Sequence, residues 1–382
     1  MSRVTTFQAL DGKSYLCVVA KRAYSLRAGA RAEPLAEPAP ILEEEEYVQS
    51  TSADAERLVA ESDLYPGLKT GTDILVRGAA HSHKGPVGSF RAGFRAGPVA
   101  KTLQVWGDRT IELGRDGALT FSAPQPLASL PLVWDFAYGG RDEHAERVLY
   151  APQGAGALAP RDDRPTRMGP LTYPRNPAGR GFFVDIDRDR MSGTLAPNLE
   201  DPLDPVTPDR LAAPTYSAWI DCPAAACFEP IDTFTFPRAV FFIPAAFARP
   251  KRELYEAKLG LLTLEEIDRR MAHLDGRADP RVFNCAPLGL GRARLGGGEP
   301  VELQNLHPKH SVFKFDLPGD APKLVLEPPG VRPRELSPEL QTVLIEPDRD
   351  RVTLTWAGVL EVAMPYPEEM VSSMRHAVVW TR

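Results

Sequence analysis

The chain has 382 residues, 43% of them hydrophobic and 25% charged, with a formal net charge of -6. That length supports a sizeable buried core and that composition is ordinary for a globular chain, which excludes wholesale disorder. The acidic balance also argues against a binder of long nucleic-acid stretches, which normally presents a basic face.

Along the chain, strand signals dominate. Residues 1–15 lack the apolar region of a secretory signal. Residues 15–20 form an apolar run with β-branched Val18 and Val19, continued by 21–24, and read as a strand. The four acids Glu43 to Glu46 read as a solvated strand edge or loop, and 53–62 as a weak helix. Residues 74–77 lie between turn-prone Gly71 and Gly78, and 101–105 alternate before Trp106-Gly107-Asp108; both are expected strands.

The stretch 152–181 is loop-like. Seven arginines fall at 161, 164, 167, 175, 180, 188 and 190, a residue type suited to gripping carboxylates. Interspersed Asp162, Asp163, Asp185, Asp187 and Asp189 partly neutralise them, so a solvated loop is the expectation. Asp185 to Asp189 begins like a calcium loop but fails, with Arg190 where glycine is needed and Ala196 in place of glutamate. Residues 234–236 and 240–243 are strand-like, and the apolar run 239–248 is too short to span a bilayer.

One helix is convincing. Leu264, Ile267, Met271 and Leu274 share a helical face, and Thr263 with Glu266 fits a capping box. It belongs to a helical insertion at 248–276. Near the end, 342–345, the turn 347–350 and 352–356 form a hairpin. Val352, Leu354 and Trp356 share one face and Thr353 and Thr355 the other, the pattern of a half-buried strand.

The chain has 38 prolines, about twice ordinary usage, which implies short elements joined by defined loops. The expected fold is mainly β: sandwich or barrel-like sheets with long Pro/Gly-rich loops, in one domain spanning 1–382.

Recognised chemistry is sparse. There is no P-loop, no nucleophile elbow and no HExxH zinc motif. Gly289-Leu290-Gly291 lacks the third dinucleotide-binding glycine. His81 and His83 could point together along a strand. Cys222, Cys227, His307 and His310 could in principle make a four-ligand zinc set, but at poor spacing. Buried free cysteines are the better account, so neither a metal nor a cofactor is expected. Four cysteines in this length make no disulfide framework, and the expected location is the reducing cytoplasm.

Several short blocks in order carry a resemblance: Val18 to Tyr24, Ser62 to Lys69, Thr72 to Ala80, Val105 to Arg109, Leu130 to Leu132 and Phe136 to Gly140. Asn176 to Gly181, Pro197 to Glu200 and Phe283 to Pro287 follow. Together they resemble a bacterial family, domain of unknown function 2169. The span 212–282 departs from the family pattern.

The resemblance implies a non-catalytic adaptor or chaperone that binds a type VI secretion effector toxin and loads it onto the spike or spike tip. Within the blocks, Asp63, Lys69, Asp73, Asp108, Arg109, Asn176, Arg180, Asn198 and Glu200 are expected either to pin loops or to contact the partner. Two alternatives remain: a β-rich hydrolase using Asp73, Asp108 or Glu200 as acid and base, or a structural part of a phage-tail-like assembly. The glycines Gly107, Gly139, Gly140, Gly179 and Gly181 are expected to be architectural. Oligomeric state and cargo are not encoded in these patterns.

Overall fold

The computed structural model describes residues 1–8, 13–64, 69–145, 171–213, 219, 221–233, 235–236, 238, 283–291 and 293–381. The expected insertion 248–276, its helix at 263–274, the run 239–248 and the strand at 240–243 lie outside these residues, as do Arg161, Arg164 and Arg167.

Both ends of the chain build the centre. Strands Ser14–Ser25 and Arg351–Val362 pair antiparallel over twelve residues, Ser14 opposite Val362 and Ser25 opposite Arg351. Ser2–Gln8 pairs with the first of these, and Glu339–Glu346 with the second. Asp73–Val76 then pairs in parallel with Glu339–Glu346, closing a six-stranded sheet that also takes in Glu33–Pro34.

A second sheet of five strands runs in the order Leu199–Glu200, Val99–Trp106, Ser89–Ala96, Pro300–His307, His310–Asp316. A third holds Arg334–Leu336, Ala321–Glu327 and Arg375–Thr381. Each sheet ends on an edge strand, so none closes into a barrel. The protein is mainly β, with layers packed as a sandwich.

Strand periodicity explains the layers. Tyr24, Val352, Leu354 and Trp356 project from one face of the first sheet into a core shared with Phe94, Leu103, Val301 and Phe313 of the second. Further along that face Leu16, Val18 and Ala20 meet Leu324, Leu326 and Leu336 of the third sheet. Burying each such side chain contributes about 1.5–3 kcal/mol, which makes this face the main determinant of register.

The opposite face departs from the half-buried expectation. Thr353 and Thr355 are buried, as are Cys17 and Val19 beside them. A covering strap, residues 41–64, lies over this face, and Ile41 and Leu64 pack against it. The central strand is therefore buried on both sides.

Part of the strap was expected to be helical at 53–62. It forms instead a hairpin of Glu46–Gln49 with Glu56–Ala60. The Ser50 hydroxyl accepts hydrogen bonds from the amides of Ser52 and Ala53 (3.0 and 3.2 Å), and this local satisfaction of the backbone competes with helix formation. Leu58 is buried while its neighbours Arg57 and Val59 are only half-buried, which fits a strand period.

The irregular region after residue 137 is held by aromatic packing. Tyr138 and Tyr173 lie edge to face at 4.8 Å, and Trp219 and Phe236 at 5.1 Å. Of the expected strand at 234–236, residue 234 lies outside the described residues, and Thr235 and Phe236 lie in a bend and turn, with the Phe236 amide donating to the Pro174 carbonyl (2.9 Å).

Candidate functional site

The strap does not seal onto the sheet. Between them lies a cleft of about 80 Å³, lined by Lys21, Glu61, Asp63, Lys69, Cys285, Thr353 and Thr355 among others. That is room for several waters among polar walls.

Asp63 closes one end of this cleft. It accepts from Lys21 Nζ (2.6 Å), the Leu42 amide (2.7 Å) and Thr355 Oγ1 (3.1 Å). It therefore ties strap to sheet from both sides. Lys69 also lines the cleft, and its Nζ lies 2.6 Å from Asp73, whose side chain is fully buried. Lys69 Nζ also reaches Glu61 (2.8 Å), Thr342 Oγ1 (3.2 Å) and Cys285 Sγ (3.7 Å). Asp73 accepts further bonds from the Asn284 side chain and the Cys285 amide, both at 2.9 Å. Glu61 in turn holds Arg238 (2.5 Å).

Burial opposes every charge here, yet the Asp73 carboxylate holds the Lys69 ammonium well above the ordinary lysine value. Lys69 reciprocally lowers Asp73 below the usual carboxylate range despite its burial. The Cys285 thiol goes the other way. Burial, then the Asp73 and Glu61 charges, push it well above the ordinary thiol value, so it stays a neutral thiol rather than a nucleophile.

Glu61, Asp73 and Cys285 place ligand atoms within 4.8 Å of one another, the one such group among the described residues. Lys69 Nζ already sits against all three and supplies the cationic charge. The donor set is thus satisfied by an ammonium, and a neutral thiol is a poor ligand.

The remaining nominated residues form a relay that locks loops together. Asn198 donates to Asp108 (3.0 Å) and to the Trp106 carbonyl (3.1 Å), and accepts from Arg180 (3.2 Å). Arg180 continues to the Asp135 carbonyl (3.0 Å) and Ser52 Oγ (2.9 Å). Arg109 pairs with Glu200 and donates to the Pro197 carbonyl (2.8 Å), its guanidinium stacked over Trp106. Asn176 donates to the carbonyls of Trp134 and Tyr138 (3.0 and 3.1 Å).

Three residues outside the nominated set anchor this relay to the strap. The Asp135 carboxylate accepts from the Thr51 amide (2.6 Å) and forms an ion pair with Arg57, 2.6 Å from Nε. Arg57 also pairs with Glu229, whose second oxygen accepts from the Trp134 amide (3.0 Å). Burial pushes the Glu229 carboxyl up to about 7 despite Arg57. Arg57 and Asp135 carried no signal of their own beyond Asp135 preceding the Phe136 block. Cys285 and Asn284 did lie in a resemblance block.

The histidine and cysteine readings separate in space. Cys222 joins the aromatic cluster, while Cys227 lies in the main core against the Leu132 carbonyl. His307 pairs with Asp350 (2.8 Å), and His81 and His83 turn to Asp348 and the His307 carbonyl. All four cysteines are free and buried. The 185–189 acids form an exposed turn and cap, Asp187 accepting from the Arg190 amide (3.1 Å). The solvated-loop expectation fails for Arg175, which is buried, and for Arg190, which pairs with buried Asp142 (2.5 Å).

The glycines are architectural. A Cβ on Gly107 would collide with the Gln125 carbonyl oxygen, and one on Gly139 with the Asn176 carbonyl oxygen. These contacts let the loop that carries Asp108 and the loop that carries Arg180 approach their neighbours.

A family described as an uncharacterized protein conserved in bacteria, domain of unknown function 2169, matches residues 11–357. The chain belongs to that family. The match spans the strap, Asp63, Lys69 and the whole relay, as well as most of the central strand pair. No curated protein and no solved structure matches the chain. Among the described residues no helix is long and apolar enough to cross a membrane.

Proposed function

We propose that this chain is a non-catalytic, cytoplasmic adaptor that binds a type VI secretion effector toxin and helps load it onto the spike complex. The reading rests on the resemblance of its ordered sequence blocks to type VI adaptors. One structural observation favours it over hydrolysis: Asp73, Asp108 and Glu200 are each committed to an internal donor, respectively Lys69, Asn198 and Arg109. A general acid and base need a shared open pocket and a free proton path. The networks instead make a rigid frame on which loops are presented.

Binding by such a frame uses apolar anchors within a polar rim. Leu113, Ile186, Leu195 and Leu203 leave apolar side chains in water, Leu203 at 92% exposure. They supply anchors of that kind.

The deciding experiment is purification of the tagged chain from its native cell, with mass spectrometry of what accompanies it. Recovery of one toxin-like protein with a spike component supports the adaptor. Recovery of the chain alone, under conditions that keep weak complexes, overturns it in favour of an enzyme.

A further inference from the structure

The third sheet ends, among the described residues, on an uncovered strand. Arg375–Thr381 pairs along its whole length with Ala321–Glu327, from Thr381 opposite Ala321 to Arg375 opposite Glu327. It stands last in the strand order, and no described segment bonds its backbone on the outer side. In an antiparallel pair alternate residues aim their amides and carbonyls outward. About half of this strand's backbone polar groups therefore face away from the sheet unpaired.

Other edges are protected. The Ile74 and Val76 amides donate to the Leu290 and Phe228 carbonyls, and the Gly29 and Ala32 amides donate to the Lys314 and Asp316 carbonyls on the edge of the second sheet. On Ser2–Gln8, Arg3 pairs with Glu43 of the strap. Covering and charge are the usual defences of an edge. Arg375–Thr381 has no proline and no acid, and its one arginine is its first residue. Ala377 and Val379 face water, Val379 at 54% exposure, while Val378 and Trp380 are half-buried against the core.

The charges on the solvent face of this sheet are matched within it. Arg375 stands opposite Glu327, and Lys323 pairs with Glu335 at 2.8 Å. A strongly basic or acidic partner strand finds no unmatched charge there. A second copy of the chain fits instead. With Val378 on a two-fold axis, antiparallel pairing sets Ala377 of one copy against Val379 of the other, His376 against Trp380, and Arg375 against uncharged Thr381. Parallel pairing would stack Arg375 on Arg375, and like charges directly opposite are destabilising. In the antiparallel register Val325, Ala377 and Val379 of both copies form one apolar strip. Lys323, Glu327 and Arg375 rim it, as polar residues rim the core of an interface.

We propose that Arg375–Thr381 is a dimerisation edge, at which two copies of this chain join their three-stranded sheets into one continuous sheet. About six backbone hydrogen bonds close the junction. So small an interface implies association on the order of micromolar. The dimer does not depend on the adaptor reading.

The test measures the mass of the full chain by sedimentation and light scattering from about 0.1 to 100 μM. Twice the chain mass at the top of that range, falling towards a single chain on dilution, is expected. A single chain mass throughout overturns the proposal. Two double variants locate the contact. A377E/V379E and A377K/V379K each set like charges against one another across the axis, at positions that face water in the single copy. Each is expected to weaken the dimer at least about tenfold. An equimolar mixture of the two is expected to regain the doubled mass, because glutamates then face lysines. Unchanged dimerisation of either variant, or no recovery in the mixture, overturns the edge.

Should either variant fail to fold, hydrogen exchange of the wild type decides. Outward amides between 375 and 381 are expected to exchange more slowly at about 100 μM than at about 0.1 μM. Exchange independent of concentration refutes the dimer. Protection that appears only when another protein is added to a single chain assigns the edge to a partner strand, and refutes self-association.

Discussion

Thr355 donates its hydroxyl to Asp63 across 3.1 Å, although 292 residues separate them in the chain. That bond joins the central strand to the strap, and it turns a threonine row that looked solvent-facing into the floor of a cleft. The same Asp63 takes Lys21 from the neighbouring strand. One carboxylate thus fixes three segments remote in sequence.

Removing Lys69 leaves Asp73 and Glu61 buried without their shared cation. K69M is expected to destabilise the protein by about 3–5 kcal/mol. Urea unfolding should show a lower midpoint with an unchanged slope. A loss under about 1 kcal/mol would mean that Arg238 and the backbone donors suffice.

Glu229 gives the protein a pH signature. Its folded-state value of about 7 lies above the ordinary 4.5, so the folded state holds that proton more tightly than the unfolded state. Its contribution is fully present below about 4.5 and is lost as pH rises through 7. Asp73, Asp135 and Asp142 are shifted downward, so their stabilisation holds above the ordinary aspartate value and is lost as pH falls through their lowered values. Unfolding free energies from pH 5 to 8 should therefore fall for wild type relative to E229Q. Parallel profiles would place the titration elsewhere.

Arg180 makes three hydrogen bonds that a lysine cannot reproduce, to Asp135, Asn198 and Ser52. R180K keeps the charge, yet it should cost about 2–3 kcal/mol. Hydrogen exchange should quicken in the 46–60 hairpin, which Ser52 and Asp135 anchor. Unchanged exchange there would show that Arg57 alone holds the hairpin.

Two glycines test whether the loops are fixed by close approach. G107A forces a Cβ into the Gln125 carbonyl and should cost at least about 3 kcal/mol. Gly29 has a positive φ of 71° but open space around it, so G29A should cost only about 1–2 kcal/mol. Soluble yield and denaturant midpoints of the two variants check the contrast.

Much of the sheet structure was legible in sequence because strand periodicity is local. The hairpin at 342–356 and the strands near 15–24 and 74–77 needed only alternation and β-branching. Burial of Thr353 and Thr355 was not legible, because a strap more than 290 residues upstream decides it. The weak helix expected at 53–62 fails for a related reason: the hairpin that forms there is held by Arg57 reaching Asp135 and Glu229. Among the nominated polar residues, Lys69 and Asp73 are only four apart, whereas the Arg180–Asn198–Asp108 relay joins positions whose proximity no spacing rule encodes. Arg175 stood in a run of arginines, and nothing local marked it as one that the fold would bury.

The pairing of Ser14–Ser25 with Arg351–Val362 has a consequence for synthesis. A ribosome makes the first of these strands more than 300 residues before its partner. At the usual pace of about 5–20 residues per second, the first strand waits for tens of seconds. During that interval Leu16, Val18 and Val19 present a bare apolar ribbon to the cell. Nascent chains of this protein should therefore depend on holding factors until Arg351–Val362 emerges, and a premature stop before residue 351 should yield aggregate rather than a smaller folded product.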